Sequence, residues 1–269
     1  MFEAYWRLRE SPFRAAHQRQ YFFASPVHDE ALARMDFLVA ERRSLGILSG
    51  SEGMGKSLLL TTFAHDVRRR GATACCVNLF GAETRNFAWS LAAELGTNPF
   101  SDEDAFVLWR RVADALHENH CQGRATVFLL DDAEQGTHDV LVQVLRLAKA
   151  HPGTVTMVLA VEESRCSRLG GDLLQLADLR LRLEPWSRRD VEEYLQASLE
   201  RAGRKESMFP EPAVTRLCDL SGGVPRWVAQ LAELALVAGA AQRLEAIDAD
   251  TVEAVYEELS QREGLRTKD

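Results

Sequence analysis

Long hydrophobic runs are missing from this 269-residue sequence: the longest, Leu234 to Ala241, falls far short of the ~18 residues that a membrane-spanning helix needs. No basic stretch followed by an apolar core stands at Met1–Arg7, so no secretory signal is read and a cytoplasmic location is expected. Cysteine is sparse: Cys75, Cys76, Cys121, Cys166 and Cys218 form no CxxC pair and no metal-ligand spacing, which leaves reduced thiols acting as small core hydrophobes. The seven histidines form no HxxxH pair and no serine or cysteine nucleophile motif is present, so metal hydrolysis and acyl transfer drop out. Positive charge is also short: 32 Lys and Arg against 40 Asp and Glu give a net charge of −8, which argues against a broad phosphate-binding face. Repeats, low-complexity tracts and Pro/Gly/Ser linkers are absent. What remains, 46% hydrophobic and 27% charged, is the composition of an ordinary globular protein of one large domain or one plus a small satellite.

The periodicity changes character along the chain. From residue 44 to about 184, short apolar runs alternate with stretches of helical length. The runs are Leu45–Leu48, Ala72–Leu79, Thr126–Leu130, Val155–Val161 and Leu179–Leu183, and Asp104–Asn119 and His138–Ala150 are two of the helical stretches. This predicts an α/β fold with a parallel five-stranded sheet. From Ser187 onward the strand signal disappears, and four helical patterns follow over 187–202, 210–220, 224–241 and 248–262. The boundary is expected at Glu184-Pro185-Trp186-Ser187, because Pro185 cannot donate to a sheet and biases Glu184 to an extended conformation. Residues 1–185, with an aromatic amino-terminal segment over 1–43, form the expected core, and 186–269 a small helical lid.

The strongest chemical signal is Gly50-Ser51-Glu52-Gly53-Met54-Gly55-Lys56-Ser57, which fits G-x-x-x-x-G-K-[ST] and lies between an apolar strand and a helical run. Glycines there permit a tight backbone whose N–H groups point at phosphate oxygens, and the helix amino terminus adds a favourable dipole. Lys56 is expected on the β- and γ-phosphates, with the Ser57 hydroxyl on Mg²⁺. Downstream, Thr126-Val127-Phe128-Leu129-Leu130-Asp131-Asp132 delivers two carboxylates at the end of a strand, a Walker-B pattern. Asp131 is expected to hold Mg²⁺ through water, and Asp132 to orient or deprotonate the attacking water.

These residues resemble AAA+ ATPases of the general secretion pathway protein A (ExeA) type, related to helper ATPases of transposition. The resemblance runs over nearly the whole chain. It includes Tyr5-Trp6-Arg7-Leu8-Arg9-Glu10-Ser11-Pro12-Phe13, Tyr21-Phe22-Phe23-Ala24-Ser25-Pro26, Asn78 after the second strand, and Ser221-Gly222-Gly223-Val224-Pro225-Arg226. It implies a P-loop AAA+ three-layer sandwich with a helical lid, binding MgATP in the cleft between them, with Arg226 as a sensor-2 contact to the γ-phosphate. It implies a role in secretion or cell-envelope machinery, with a protein partner and possible self-association. ExeA itself continues into a membrane span and a peptidoglycan-binding region; neither is read in this sequence, so any membrane attachment is expected through a partner.

The departures from the pattern matter as much. Asp131-Asp132-Ala133-Glu134 stands where Asp-Glu-Ala-Gln is usual, so the expected catalytic carboxylate is one methylene short and turnover is expected to be weak. Glu162 stands at the sensor-1 position, where it would repel a γ-phosphate unless protonated or turned away. Arg180 and Arg182 are read as solvent-side residues of an alternating strand rather than as an arginine finger. Tyr21, Phe22 and Phe23 have two readings, the adenine pocket or core packing. Two alternatives accompany the ATPase reading: a DNA-associated helper using Arg68-Arg69-Arg70 and Arg262–Lys268, and an ATP-binding scaffold with lost turnover.

Overall fold

The structure is a computed structural model that describes residues 2–13 and 18–266, with side chains as far as Ser260. The basic tail over Arg262–Lys268 lies outside the described side chains. In chain order the elements are α1 (Phe2–Trp6), α2 (Pro26–Ala40), β1 (Leu45–Gly50), α3 (Lys56–Arg69), β2 (Thr73–Asn78), α4 (Thr84–Glu94), α5 (Ala105–Cys121), β3 (Thr126–Asp131), α6 (His138–Ala150), β4 (Val155–Glu162), α7 (Gly171–Leu176) and β5 (Leu179–Arg182). Helices α8 (Arg188–Arg201), α9 (Glu211–Ser221), α10 (Pro225–Gln242) and α11 (Ala249–Arg266) follow. Two compact units emerge. One holds His28–Glu52 and Lys56–Leu183; the other holds the described residues before His28, the tripeptide Gly53–Gly55 and the described residues from Glu184 onward.

In the α/β unit the sheet runs β2-β3-β4-β1-β5, every pair parallel. Parallel strands are covered on both faces, which explains why they read as continuous apolar runs. One face sets Ile47, Phe128, Leu130 and Leu159 against Phe87 of α4, Val112 of α5 and Val144 of α6. On the opposite face Leu38 of α2 occupies the space where Gly46 lacks a side chain: a Cβ there would sit 2.3 Å from Leu38 Cδ1. Helix starts are chemically marked. The Asp104 side chain accepts from Val107 N at 2.9 Å and Thr137 Oγ1 accepts from Val140 N at 3.4 Å, each satisfying a free first-turn amide. The register sets Gly50 beside Glu162 and Asn78 beside Asp131, so the four strand ends that carry polar residues share one edge of the sheet.

The helical unit has its own core, built on aromatic rings. Trp186, Tyr194, Phe209, Leu217, Leu231 and Ile247 pack together, and Trp6 and Phe13 pack with them. The Trp6 indole N–H donates to Leu236 O at 2.8 Å, and the Trp186 indole N–H donates to Ser25 Oγ at 3.0 Å. The described first residues therefore depart from the expected grouping with the α/β core: Trp6 bonds to α10, and Phe13 meets Tyr194 of α8 and Phe209. Ser187 opens α8 with a full capping box: it accepts from the Asp190 amide, and the Asp190 carboxylate accepts from the Ser187 amide at 2.8 Å. Gly222, in the left-handed region at φ 58°, closes α9 and lets Pro225 start α10 three residues later.

Candidate functional site

The glycine-rich loop leaves β1 at Gly50 and enters α3 at Lys56. Gly53 and Gly55 take φ of 83° and 85°, a left-handed backbone that strains any residue with a Cβ. Met54 between them is buried and anchors the turn, whereas Ser51 and Glu52 are exposed. Lys56 folds back over the loop and donates from Nζ to Gly50 O at 2.7 Å and to Ser51 O at 3.0 Å. Burial lowers the Lys56 pKa; the carboxylates of Glu134, Asp131, Asp132 and Glu162 act in the opposite direction.

Asp131 ends β3, the strand next to Asn78, and its carboxylate accepts from the Asp132 amide at 3.1 Å. Burial is the main cause of a raised Asp131 pKa, opposed by the nearby Ser57 hydroxyl. Asp132 is left-handed at φ 49°, ψ 42°, an uncommon conformation for a residue other than glycine. Its Oδ2 accepts from Asn78 Nδ2 at 2.7 Å, so Asn78 on the neighbouring strand fixes where that carboxylate points.

Glu134 was not singled out as a site residue by sequence reasoning. It is only 5% exposed, and its Oε2 finds no hydrogen-bond partner among the described residues. A buried carboxylate with an open lone pair is costly unless a cation answers it, and among the four carboxylates Glu134 acts most strongly on Lys56. The available signal was glutamate at the position where the resembled pattern has glutamine.

The remaining expected residues fall into place individually. Glu162 is turned onto its own turn: Oε1 accepts from Ser164 Oγ at 2.6 Å and Oε2 pairs with Arg165 Nε at 3.1 Å. Arg180 donates to Leu174 O at 2.6 Å and Arg182 pairs with Glu163 at 2.8 Å, so both are engaged within the α/β unit. In the helical unit Phe23 meets Trp186 and Tyr194 edge-on, which is core packing, whereas half-buried Tyr21 lies under the Arg201 guanidinium. Arg226 is exposed in the first turn of α10, and its backbone N–H donates to O of Gly53, a member of the same unit, at 3.2 Å.

A hydroxyl near a carboxylate, beside one ammonium and several acids, suits a hard divalent cation that arrives with phosphates and keeps most of its waters. Among the described residues no cluster of three metal-ligating side chains occurs. Mg²⁺ carried by a nucleotide needs no such cage.

The profile of the AAA domain family matches residues 39–169, from the end of α2 past β4. That stretch is an AAA domain. The chain is also 26% identical over 249 residues to general secretion pathway protein A of Aeromonas hydrophila, a match covering 90% of this chain and 45% of that protein. The chain thus spans less than half the length of that relative. Among solved structures, the Aeropyrum pernix ORC2 protein in ADPNP–ADP complexes is similar with a TM-score of 0.67 at 16% identity, over 90% of this chain and 72% of that one. The Aeropyrum pernix ORC1 protein in complex with DNA gives 0.69 at 16% identity, over 94% and 69%. These likenesses show the fold: an AAA+ P-loop sandwich with a five-stranded parallel sheet, followed by helices.

Proposed function

We propose that this AAA domain binds MgATP and hydrolyses it as a nucleotide-driven switch, acting in the cytoplasm in a secretion or cell-envelope process with a protein partner. The observation that carries the reading is the glycine loop between β1 and α3, with Gly53 and Gly55 at positive φ and Lys56 folded back onto the carbonyls of Gly50 and Ser51. Residues Gly50 to Ser57 would cradle the phosphates through backbone N–H groups, and Lys56 would leave Gly50 O and Ser51 O for the β- and γ-phosphates. Bound Mg²⁺ would neutralise charge on the phosphate oxygens, held by the Ser57 hydroxyl and, through water, by Asp131. Asp132 would accept a proton from the attacking water, in-line with the leaving group, and Arg226 would supply positive charge at the γ-phosphate. The envelope process rests on the name of one relative.

A second reading, an ATP-binding scaffold with little turnover, is favoured by one observation. The short Asp132 carboxylate is held at Oδ2 by Asn78, so it is less free to swing towards a water than an untethered acid. The DNA-helper reading gains nothing from Arg68 and Arg70, since Arg68 donates to Ala74 O and Glu94 and Arg70 pairs with Asp36.

The test is MgATP binding and single-turnover hydrolysis at several protein concentrations, for the wild type, Lys56→Ala and Asp132→Glu. Lys56→Ala is expected to remove turnover, with a loss on the order of a hundredfold or more. Asp132→Glu is expected to raise it severalfold, and an unchanged rate would sink the idea that the missing methylene limits catalysis. Turnover per subunit that rises with concentration would support a site completed by self-association.

A further inference from the structure

Away from the strand ends, the α/β unit carries a groove of about 940 Å³ between α5 and α6. Its floor is apolar: Trp109, Val112 and Leu116 come from α5, and Leu147 comes from α6. These positions recur at helical spacing. The contribution of α5 runs from Phe106 to Leu116, which at 1.5 Å per residue makes a trough about 15 Å long, close to three turns of helix. Phe106, 76% exposed, stands at one end as an apolar lip.

The rim has one sign. Arg110, Arg146 and Lys149 line it and are exposed, and no carboxylate is among the lining residues. In a chain of net charge −8, three cations around an apolar floor depart from the average surface. Their local pairings are weak: Arg110 reaches Asp114 only at 3.9 Å with both side chains about three-quarters exposed, and Arg146 donates to neutral Gln143 at 3.0 Å. His151, at the end of α6, is pushed by burial towards its neutral form and adds no charge.

We propose that the α5–α6 groove docks an acidic amphipathic helix of a partner protein, with its apolar face on the Trp109–Leu147 floor and its carboxylates on Arg110, Arg146 and Lys149. The shape is that of helix-in-groove recognition, in which residues at i, i+3, i+4 and i+7 serve as anchors. Burial of the anchors supplies affinity, and the cationic rim sets the sign of the partner and speeds encounter. A nucleic acid would use the same cations but would leave the floor and Phe106 without partners. The inference does not depend on nucleotide chemistry.

The experiment uses the full chain and a fluorescein-labelled helical peptide about three turns long, with leucine at the anchor spacing and glutamate elsewhere, read by fluorescence anisotropy at low and physiological salt. A peptide with lysine in place of glutamate is the control. The acidic peptide is expected to bind about tenfold or more tightly than the lysine peptide, with affinity falling as salt rises. The double variant Arg146→Glu/Lys149→Glu should weaken it about tenfold, and Ala113→Glu, which fills the groove from an exposed position with a charge that repels the peptide, should do the same, both with an unchanged melting temperature. Equal affinity for the two peptides, no binding of the acidic one, or binding untouched by both variants would overturn the proposal. So would displacement of the peptide by a stoichiometric medium-chain fatty acid, which would reassign the groove to a lipid.

Discussion

Two buried carboxylates, one in each unit, invite comparison. Asp190 in the helical unit is 8% exposed, and its Oδ2 accepts from both the amide and the hydroxyl of Ser187 in a closed capping box. Glu134 in the α/β unit is 5% exposed and keeps an oxygen without a partner, near Lys56 and two aspartates. The first carboxylate answers its own helix. The second leaves one oxygen open to a cation or water, at a cost in desolvation. The same contrast runs through both units: the helical one keeps ion pairs such as Arg188–Glu211 and Arg189–Glu193 on its surface over an aromatic core, whereas the α/β unit half-buries Lys56, at the start of α3, and Asp131, at the end of β3.

The contrast can be broken by substitution. Trp6→Ala is expected to have the largest effect on stability: the ring is 2% exposed and donates to Leu236 O, so its loss should cost about 3–5 kcal/mol, read as a lowered melting transition in calorimetry. If the melt hardly moves, the amino-terminal segment is not part of that core.

Asp131→Asn should separate function from stability. The folded pKa of Asp131 is raised, so its favourable contribution is present below the ordinary aspartate value of about 4 and is lost as pH rises through the folded value. At neutral pH the ionised form therefore weakens the fold. The variant should melt about 2 °C higher at neutral pH, lose this advantage as the pH falls below the folded value, and bind MgATP about tenfold or more weakly. A lowered melting point at neutral pH would contradict the burial argument.

Ser187→Ala is expected to be the smallest, about 1 kcal/mol, because it opens the capping box of α8 without touching the core. A loss well above that would mean that Asp190, left half-satisfied, behaves like Glu134.

Much of this architecture was legible in the sequence for identifiable reasons. Buried parallel strands need unbroken apolar runs, so β1 to β5 announced themselves, and the helical stretches beginning at Asp104, His138 and Ser187 stood out by their length and period. The glycine loop read clearly because positive φ at Gly53 and Gly55 demands glycine. What stayed hidden depends on distant partners. An acid after a strand reads as solvated, so nothing in the order of residues showed that Glu134 would be covered or that Glu162 would turn onto Ser164 and Arg165. The grouping of Trp6 and Phe13 with α8 to α11 is likewise a fact of tertiary packing, since a short aromatic segment fits either core.

The strand order carries a consequence for the birth of the molecule. Strand β1, among the first to be synthesised, is flanked by β4 and β5, which are translated roughly a hundred residues later. At about 5–20 residues per second, its apolar edges wait on the order of 5–20 s for neighbours. Until then the glycine loop hangs from an unpaired strand, and Asp131 has no fixed place beside Ser57. A nascent chain that has not yet delivered β4 should be blind to nucleotide and open to chaperones, and it should gain its ligand only in the last steps of folding.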